Sequence, residues 1–381
     1  MKFSVNRKEF TAALDSPSRA VPLRSTMPVF EGICIEATSQ GSLTCSGYGM
    51  NYSARCTIDD VLVNAPGAIV LPNRMFLTIV KKLEGERIVL EANESNNVVI
   101  TCGRSHYELV GIPAEEYPEL PLVEPESDIV FEGSEFRRAI SEVSYAIRED
   151  EARPVLCGAL LQKSGENELT MVAMDGFRAE TKTFPAVKIS LNSRNSVVLN
   201  KFFLSELLKS LPNDETPVSL EIGTRHAIVK FRDEKNGFEQ EIVTRLIEGS
   251  YPDWARFFTE PMYHVVADRK DLLACTDRMK LLVNDKIKAP LKMTVSADSI
   301  DMHVHTANGR AHDVIAVKSS DIKDSLVIGF NTSYLFDVLR SMEGDMVSLG
   351  FTSPSSPCVL NPVEPESNGK HLLLPVRLKA E

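Results

Sequence analysis

One helical pattern occurs three times in this chain, and the spacing of its copies constrains the fold more than any other feature. Phe76, Ile79, Val80 and Leu83 stand at i, i+3, i+4 and i+7, which places them on one face of a helix. Leu204, Leu207, Leu208 and Leu211 repeat that spacing, and so do Leu335, Val338, Leu339 and Met342. Each set follows an apolar run ending in Asn: LPN at 71–73, VLN at 198–200 and GFN at 329–331. Asn is a favoured N-cap, so each of the three is expected to cap its helix. The Asn residues lie about 130 residues apart, which is the size of a domain and not of a solenoid repeat. The chain therefore reads as one domain written three times.

A second landmark keeps the same order. Phe10, Ala13 and Leu14 open a helical pattern near the start, Phe136, Ala139, Ile140 and Val143 open another, and Leu272, Cys275 and Met279 a looser third. Each is followed by a Pro and alternating apolar residues: MPVFEGICIEA at 27–37, RPVLCGALLQK at 153–163 and APLKMTVSA at 289–297. Such alternation predicts a half-buried strand, with Pro at the start where a strand tolerates it. A Gly-bearing turn comes next, SGYG at 46–49, MDGFR at 174–178 and ANGR at 307–310. Each unit is thus two helix-plus-sheet modules, six along the chain, and the fold class is α+β with helices packed on antiparallel sheets.

The 381 residues exceed what one hydrophobic core usually serves. Polar, Pro-rich runs at 113–128 (PAEEYPELPLVEPESD) and 248–261 (EGSYPDWARFFTEP) place the domains at 1–124, 125–258 and 259–381. No stretch reaches the ~18 apolar residues of a membrane helix, and no signal peptide opens the chain. Seven Cys without a CxxC pair argue against a disulfide framework. These features lead us to expect a cytoplasmic protein.

The net charge is −11, a poor sign for wrapping nucleic acid with the general surface. Placement matters more. Lys81, Lys209 and Arg340 each lie five residues after the first apolar position of their helix, ~140° around it at 100° per residue. The face opposite the core is basic at one place in all three copies, and Arg74 joins Lys81 there; Glu206 and Asp337 temper the signal. Catalytic signatures are missing: no P-loop, GxGxxG, GxSxG or HExxH is present. His303 and His305 share one face of a predicted strand, but lack a third placed ligand, so a solvated strand face is the better reading and no metal is expected. Asp175 sits in an Asp-Gly turn and reads as a turn residue before an acid or base.

The strand RPVLCGALL, the turn VAMDGFR, SYPDW, GFNTSYLFDVL and the terminal LLLPVRL together resemble the bacterial sliding clamps, the beta subunits of DNA polymerase III, over the whole length. The resemblance implies three domains of like topology with sheets outside and helices inside. It also implies a head-to-tail homodimeric ring around double-stranded DNA and no catalytic activity or cofactor. An acidic exterior with basic inner helices fits a ring that surrounds DNA without clinging to it outside. By the same resemblance Arg24, Arg74, Lys81, Arg148, Arg153, Lys201, Lys209 and Arg340 face the DNA, touching phosphates without reading sequence. A groove between the second and third domains is expected to take short peptides from the replicative polymerase, the clamp loader and repair proteins. Its wall is Leu156, Met174, Gly176, Phe177, Arg178, Pro252, Arg256, Ile287, Asn331, Tyr334, Leu374, Pro375, Val376, Arg377 and Leu378. Tyr107 and Leu109 on one side, and Leu281 and Leu282 on the other, are the expected dimer contacts. Met174, Phe177 and Ala179 depart from the usual TDGHRL turn, Pro354 and Pro357 stiffen a loop, and Lys379–Glu381 extend the end. Met174 and Phe177 are expected to narrow or reshape the pocket entrance. The alternative is a monomeric tandem-domain scaffold, which needs no self-complementary ends.

Overall fold

The computed structural model describes residues 1–191, 195–283, 289–364 and 368–378. The first repeat runs β1 (Lys2–Asn6), α1 (Arg7–Ala20), β2 (Gly32–Ala37), β3 (Leu43–Gly47) and β4 (Tyr52–Ile58). It continues β5 (Leu62–Ala65), β6 (Gly67–Pro72), α2 (Asn73–Lys82), β7 (Arg87–Ala92), β8 (Asn97–Cys102), β9 (Ser105–Val110) and the short β10 (Ile112–Pro113). The second runs β11 (Ser127–Glu132), α3 (Gly133–Val143), β12 (Gly158–Lys163), β13 (Glu168–Met174) and β14 (Arg178–Pro185). Then come β15 (Lys188–Leu191), β16 (Ser196–Asn200), α4 (Lys201–Ser210), β17 (Pro217–Ile222), β18 (His226–Asp233) and β19 (Phe238–Arg245). The third runs β20 (Tyr263–Asp268), α5 (Arg269–Lys280), β21 (Leu291–Val295), β22 (Ser299–Thr306) and β23 (Gly309–Ser320). It ends β24 (Leu326–Phe330), α6 (Thr332–Ser341), β25 (Met346–Phe351), β26 (Cys358–Pro362) and β27 (Gly369–Leu373). Among the described residues there are six α-helices, two per repeat, and none is long and apolar enough to cross a membrane.

The chain forms two compact units that cut through the middle repeat. The first holds a sheet ordered β5-β1-β7-β8-β9 and a ten-stranded sheet ordered β10-β6-β2-β3-β4-β19-β18-β17-β11-β15. The second holds a twelve-stranded sheet ordered β16-β12-β13-β14-β27-β26-β25-β20-β23-β22-β21-β24. Within each unit a strand of one repeat continues into a strand of the next. β4 pairs antiparallel with β19, from Tyr52↔Thr244 to Ile58↔Phe238, and β14 pairs with β27, from Arg178↔Leu373 to Lys182↔Gly369.

Helix burial follows the apolar spacing. Phe76, Val80 and Leu83, then Leu204, Leu207 and Leu211, then Leu335, Val338, Leu339 and Met342 are buried, as are Phe10, Ala13 and Leu14 and the Phe136 set. Each such side chain contributes ~1.5–3 kcal/mol by leaving water, so these faces fix how the helices lie on their sheets. Capping differs from expectation. Asn331 does cap α6, accepting from the backbone N–H of Ser333 (2.9 Å) and Tyr334 (3.3 Å). Asn73 is instead the first helical residue of α2, and its amide donates to the Ser18 carbonyl (2.9 Å) at the end of α1. Two of the three prolines also differ, whereas Pro290 directly precedes β21 as expected. Pro28 and Pro154 start short 3-10 turns at Pro28–Glu31 and Pro154–Leu156, and the strands begin afterwards at Gly32 and Gly158. Proline's fixed φ and missing N–H suit the first residue of a helical turn as well as the start of a strand, and here the turn prevails.

Candidate functional site

The expected pocket residues lie in the second compact unit, except Ile287, which falls outside the described residues. Asp175 makes the turn between β13 and β14: its Oδ1 accepts from the N–H of Phe177 (2.8 Å) and of Arg178 (3.0 Å). Gly176 has φ +97°, a conformation that favours glycine. Arg178 then fastens this turn to α6. Its Nε donates to Asp175 Oδ2 (2.9 Å), its Nη1 to Asp337 Oδ2 (2.7 Å), and its guanidinium lies 4.4 Å from the Tyr334 ring centre and 5.0 Å from that of Tyr145. Burial disfavours the Arg178 charge, yet the Asp337 and Asp175 carboxylates outweigh it and raise its pKa. Arg178 therefore sets the shape of the rim and is not a free charge. Phe177 is exposed and faces Tyr334, with ring centres 5.9 Å apart.

The terminal segment completes the site. Leu374 N–H donates to the Phe177 carbonyl (2.8 Å) and Val376 N–H to the Gly329 carbonyl (2.7 Å). A Cβ on Gly329 would sit 2.5 Å from the Val376 carbonyl oxygen, so only glycine lets the tail lie this close. Pro375, Val376, Arg377 and Leu378 form a cleft of about 420 Å³ with Val327, Ile328, Gly329, Pro354 and Ser355. That size suits one or two apolar anchors of an extended peptide.

Leu156 and Met174 belong to a buried cluster next to the Asp175 turn. Both are buried with Ala179 and Leu372, and Val155, Tyr251, Trp254 and Phe258 pack against them. Met174 is packed in this cluster, and of that pair only Phe177 reaches the surface. Pro252 is half-buried beside Tyr251, and Arg256 is exposed and paired with Asp253 (3.1 Å). Sequence reasoning missed Tyr145, Asp337 and Trp254 as parts of this region. The sequence marks Asp337 only as an acid diluting a basic face, yet it is the anchor for Arg178.

The basic residues divide between the units. In the first, Arg24, Arg74, Lys81 and Lys209 are exposed, and Lys81 pairs with Asp15 (2.7 Å) at a solvated site where such a pair contributes little. In the second, the loop before β12 brings three together. Arg148 pairs with Asp150 (2.6 Å) and donates to the Asp175 carbonyl (3.0 Å), Lys201 Nζ donates to the Glu149 carbonyl (3.1 Å), and Arg153 is exposed nearby in sequence. Arg148 thereby ties this loop to the Asp175 turn of the pocket. Arg340 is exposed, 3.7 Å from Asp337.

Of the expected dimer contacts, Tyr107 is 40% and Leu281 85% exposed, while Leu109 and Leu282 are half-buried against their own cores. The cross-strand neighbour of His303 on β23 is His312, whereas His305 stands opposite Arg310.

Family models of the DNA polymerase III beta subunit match the chain in three consecutive stretches: the N-terminal domain at 1–121, the central domain at 131–253 and the C-terminal domain at 257–377. The chain is 28% identical to the beta sliding clamp of Staphylococcus aureus over 392 aligned positions, covering 99% of each. The DNA polymerase sliding clamp of Bacillus subtilis superposes with a TM-score of 0.91 at 26% identity, covering 100% of both chains. The beta subunit from the DNA polymerase of Streptococcus pyogenes gives 0.91 at 29% identity, covering 99% of this chain and 100% of that one.

Proposed function

The chain belongs to the DNA polymerase III beta-subunit family of non-catalytic sliding clamps, and from that premise we propose that two copies join head to tail into a ring around duplex DNA. DNA and a DNA polymerase are its partners.

The joint pattern carries the ring. One composite sheet reads β6-β2-β3-β4-β19-β18-β17-β11 and another β16-β12-β13-β14-β27-β26-β25-β20. The third repeat supplies β24-β21-β22-β23 and the first supplies β9-β8-β7-β1, the two missing halves of a third such sheet. Among the described residues, β9 is an end strand and the 309–316 stretch of β23 pairs only with β22. An unpaired edge is a template for another strand, and a head-to-tail contact repeated twice closes when its rotation allows. Tyr107 and Leu109 stand on β9, and Leu281 at the end of α5 is the exposed apolar residue to be covered.

In this reading the basic residues named above meet phosphates inside the ring, which positions DNA without specifying sequence. The cleft beside the tail and the Arg178-fastened rim take peptide segments of the replicative polymerase, the clamp loader and repair proteins, with one or two apolar side chains as anchors. Light scattering on a sizing column tests the assembly. Wild type is expected to run as a dimer at micromolar concentration, and a variant with Leu281→Ser and Leu282→Ser as a folded monomer. A monomeric wild type would favour the scaffold reading instead.

A further inference from the structure

The outward face of the β22–β23 hairpin carries a cluster that the clamp reading does not use. Along β22, Ile300, Met302 and Val304 point into the core, so the alternation turns Asp301 and His303 outward. Register sets His312 of β23 directly across from His303. The two imidazoles lie nearly parallel, with ring centres 4.2 Å apart and planes 12° apart. Both Nε2 atoms approach one carboxylate oxygen, Asp301 Oδ1, at 2.6 Å from His303 and 3.1 Å from His312. That oxygen is shielded from solvent and makes no hydrogen bond. Three donor atoms therefore converge on one point of the face.

We propose that Asp301, His303 and His312 bind a divalent transition metal of the zinc class. Two imidazole nitrogens and a carboxylate suit such an ion, whereas magnesium and calcium demand more oxygen donors than this face supplies. Bonds of about 2.0–2.1 Å in a tetrahedron separate the donors by roughly 3.3 Å. The donor atoms here lie within 4.8 Å of one another, so small rotations of the two exposed rings reach that spacing. Three protein ligands leave the fourth position to water. Three protein ligands make binding weaker than at a four-ligand structural centre. The hairpin builds this site alone, and it does not rest on ring formation.

Zinc chloride titrated calorimetrically into the full chain tests the proposal. One binding event per chain is expected that His303→Ala and His312→Ala each weaken by more than about tenfold, and that His305→Ala leaves unchanged. Cobalt should give visible ligand-field bands that disappear in His312→Ala, and magnesium should give no event. Melting curves confirm that the variants are folded, and light scattering on the same samples reads dimerisation separately. Zinc binding of equal stoichiometry and affinity in wild type and both histidine variants would overturn the site.

Discussion

At the joint between β4 and β19 the buried carboxylate of Glu206 meets a cation; at the joint between β14 and β27 the buried carboxyl of Glu180 meets an imidazole. Glu206 is only 1% exposed. It accepts from Ser16 Oγ (2.9 Å), from Arg19 through a fork (2.7 and 2.9 Å), from the Tyr52 hydroxyl (3.1 Å) and from Ser210 Oγ (2.7 Å). Each of its two oxygens has more than one donor. Glu180 lies directly opposite His371 in the strand register, and both are completely buried. Its Oε2 accepts from the Tyr145 hydroxyl (2.8 Å) and touches His371 Nδ1, while Glu180 Oε1 and His371 Nε2 have no hydrogen-bond partner. Burial drives the Glu180 pKa well up and the His371 pKa down to about 3, which favours the neutral form of each. The same topological joint is thus made once around a carboxylate with its cation and once around an acid and an imidazole that burial pushes toward neutrality. The comparison teaches that strand pairing defines the joint, and that polar chemistry sets how each responds to substitution and pH.

The largest effect is expected at the charged joint. Arg19→Met leaves Glu206 buried without its cation, and one-sided removal of such a pair costs about 3 kcal/mol, the lower end of the usual range because Arg19 is a third exposed. Urea unfolding of the two proteins measures this. A loss below about 1 kcal/mol would mean that the hydroxyl donors alone suffice.

A smaller effect is expected at the neutral joint. Glu180→Gln keeps the shape of a protonated acid and should change stability at neutral pH by less than about 1 kcal/mol. The pH dependence has a definite sign. Because the folded pKa of Glu180 is raised, the stability it contributes is complete below the ordinary carboxyl range and is lost as pH rises through the raised value. The glutamine variant lacks that loss, so its melting midpoint should fall less than that of wild type as pH rises above the ordinary carboxyl range. A variant as damaged as Arg19→Met would show that Glu180 is ionised and the two joints are alike.

What was legible in the sequence was what is local. Helical faces depend on residues three and four apart, so Phe76, Leu204 and Leu335 declared themselves. Local cues misled where one signal serves two structures: Asn73 precedes an apolar run yet bonds to Ser18, and Pro28 opens a turn and not a strand. The site depends on distant partners. Arg178 and Asp337 are 159 positions apart, and His303 meets His312 only once strand register is set, so neither pairing could be read from spacing. Resemblance alone points to the tail residues Pro375 to Leu378, because a terminal apolar run by itself reads first as an edge strand.

Retention on circular DNA tests the ring most directly. The protein is loaded on nicked circular DNA with a clamp loader and ATP, and the salt is then raised. Phosphate contacts weaken steeply with salt because binding releases counterions, whereas a closed ring is held by topology. The protein should therefore remain on the circle at salt that strips electrostatic binders, and should leave when the circle is cut and its ends are free. Equal retention on linear and circular DNA would mean that the chain grips DNA by contacts and does not encircle it.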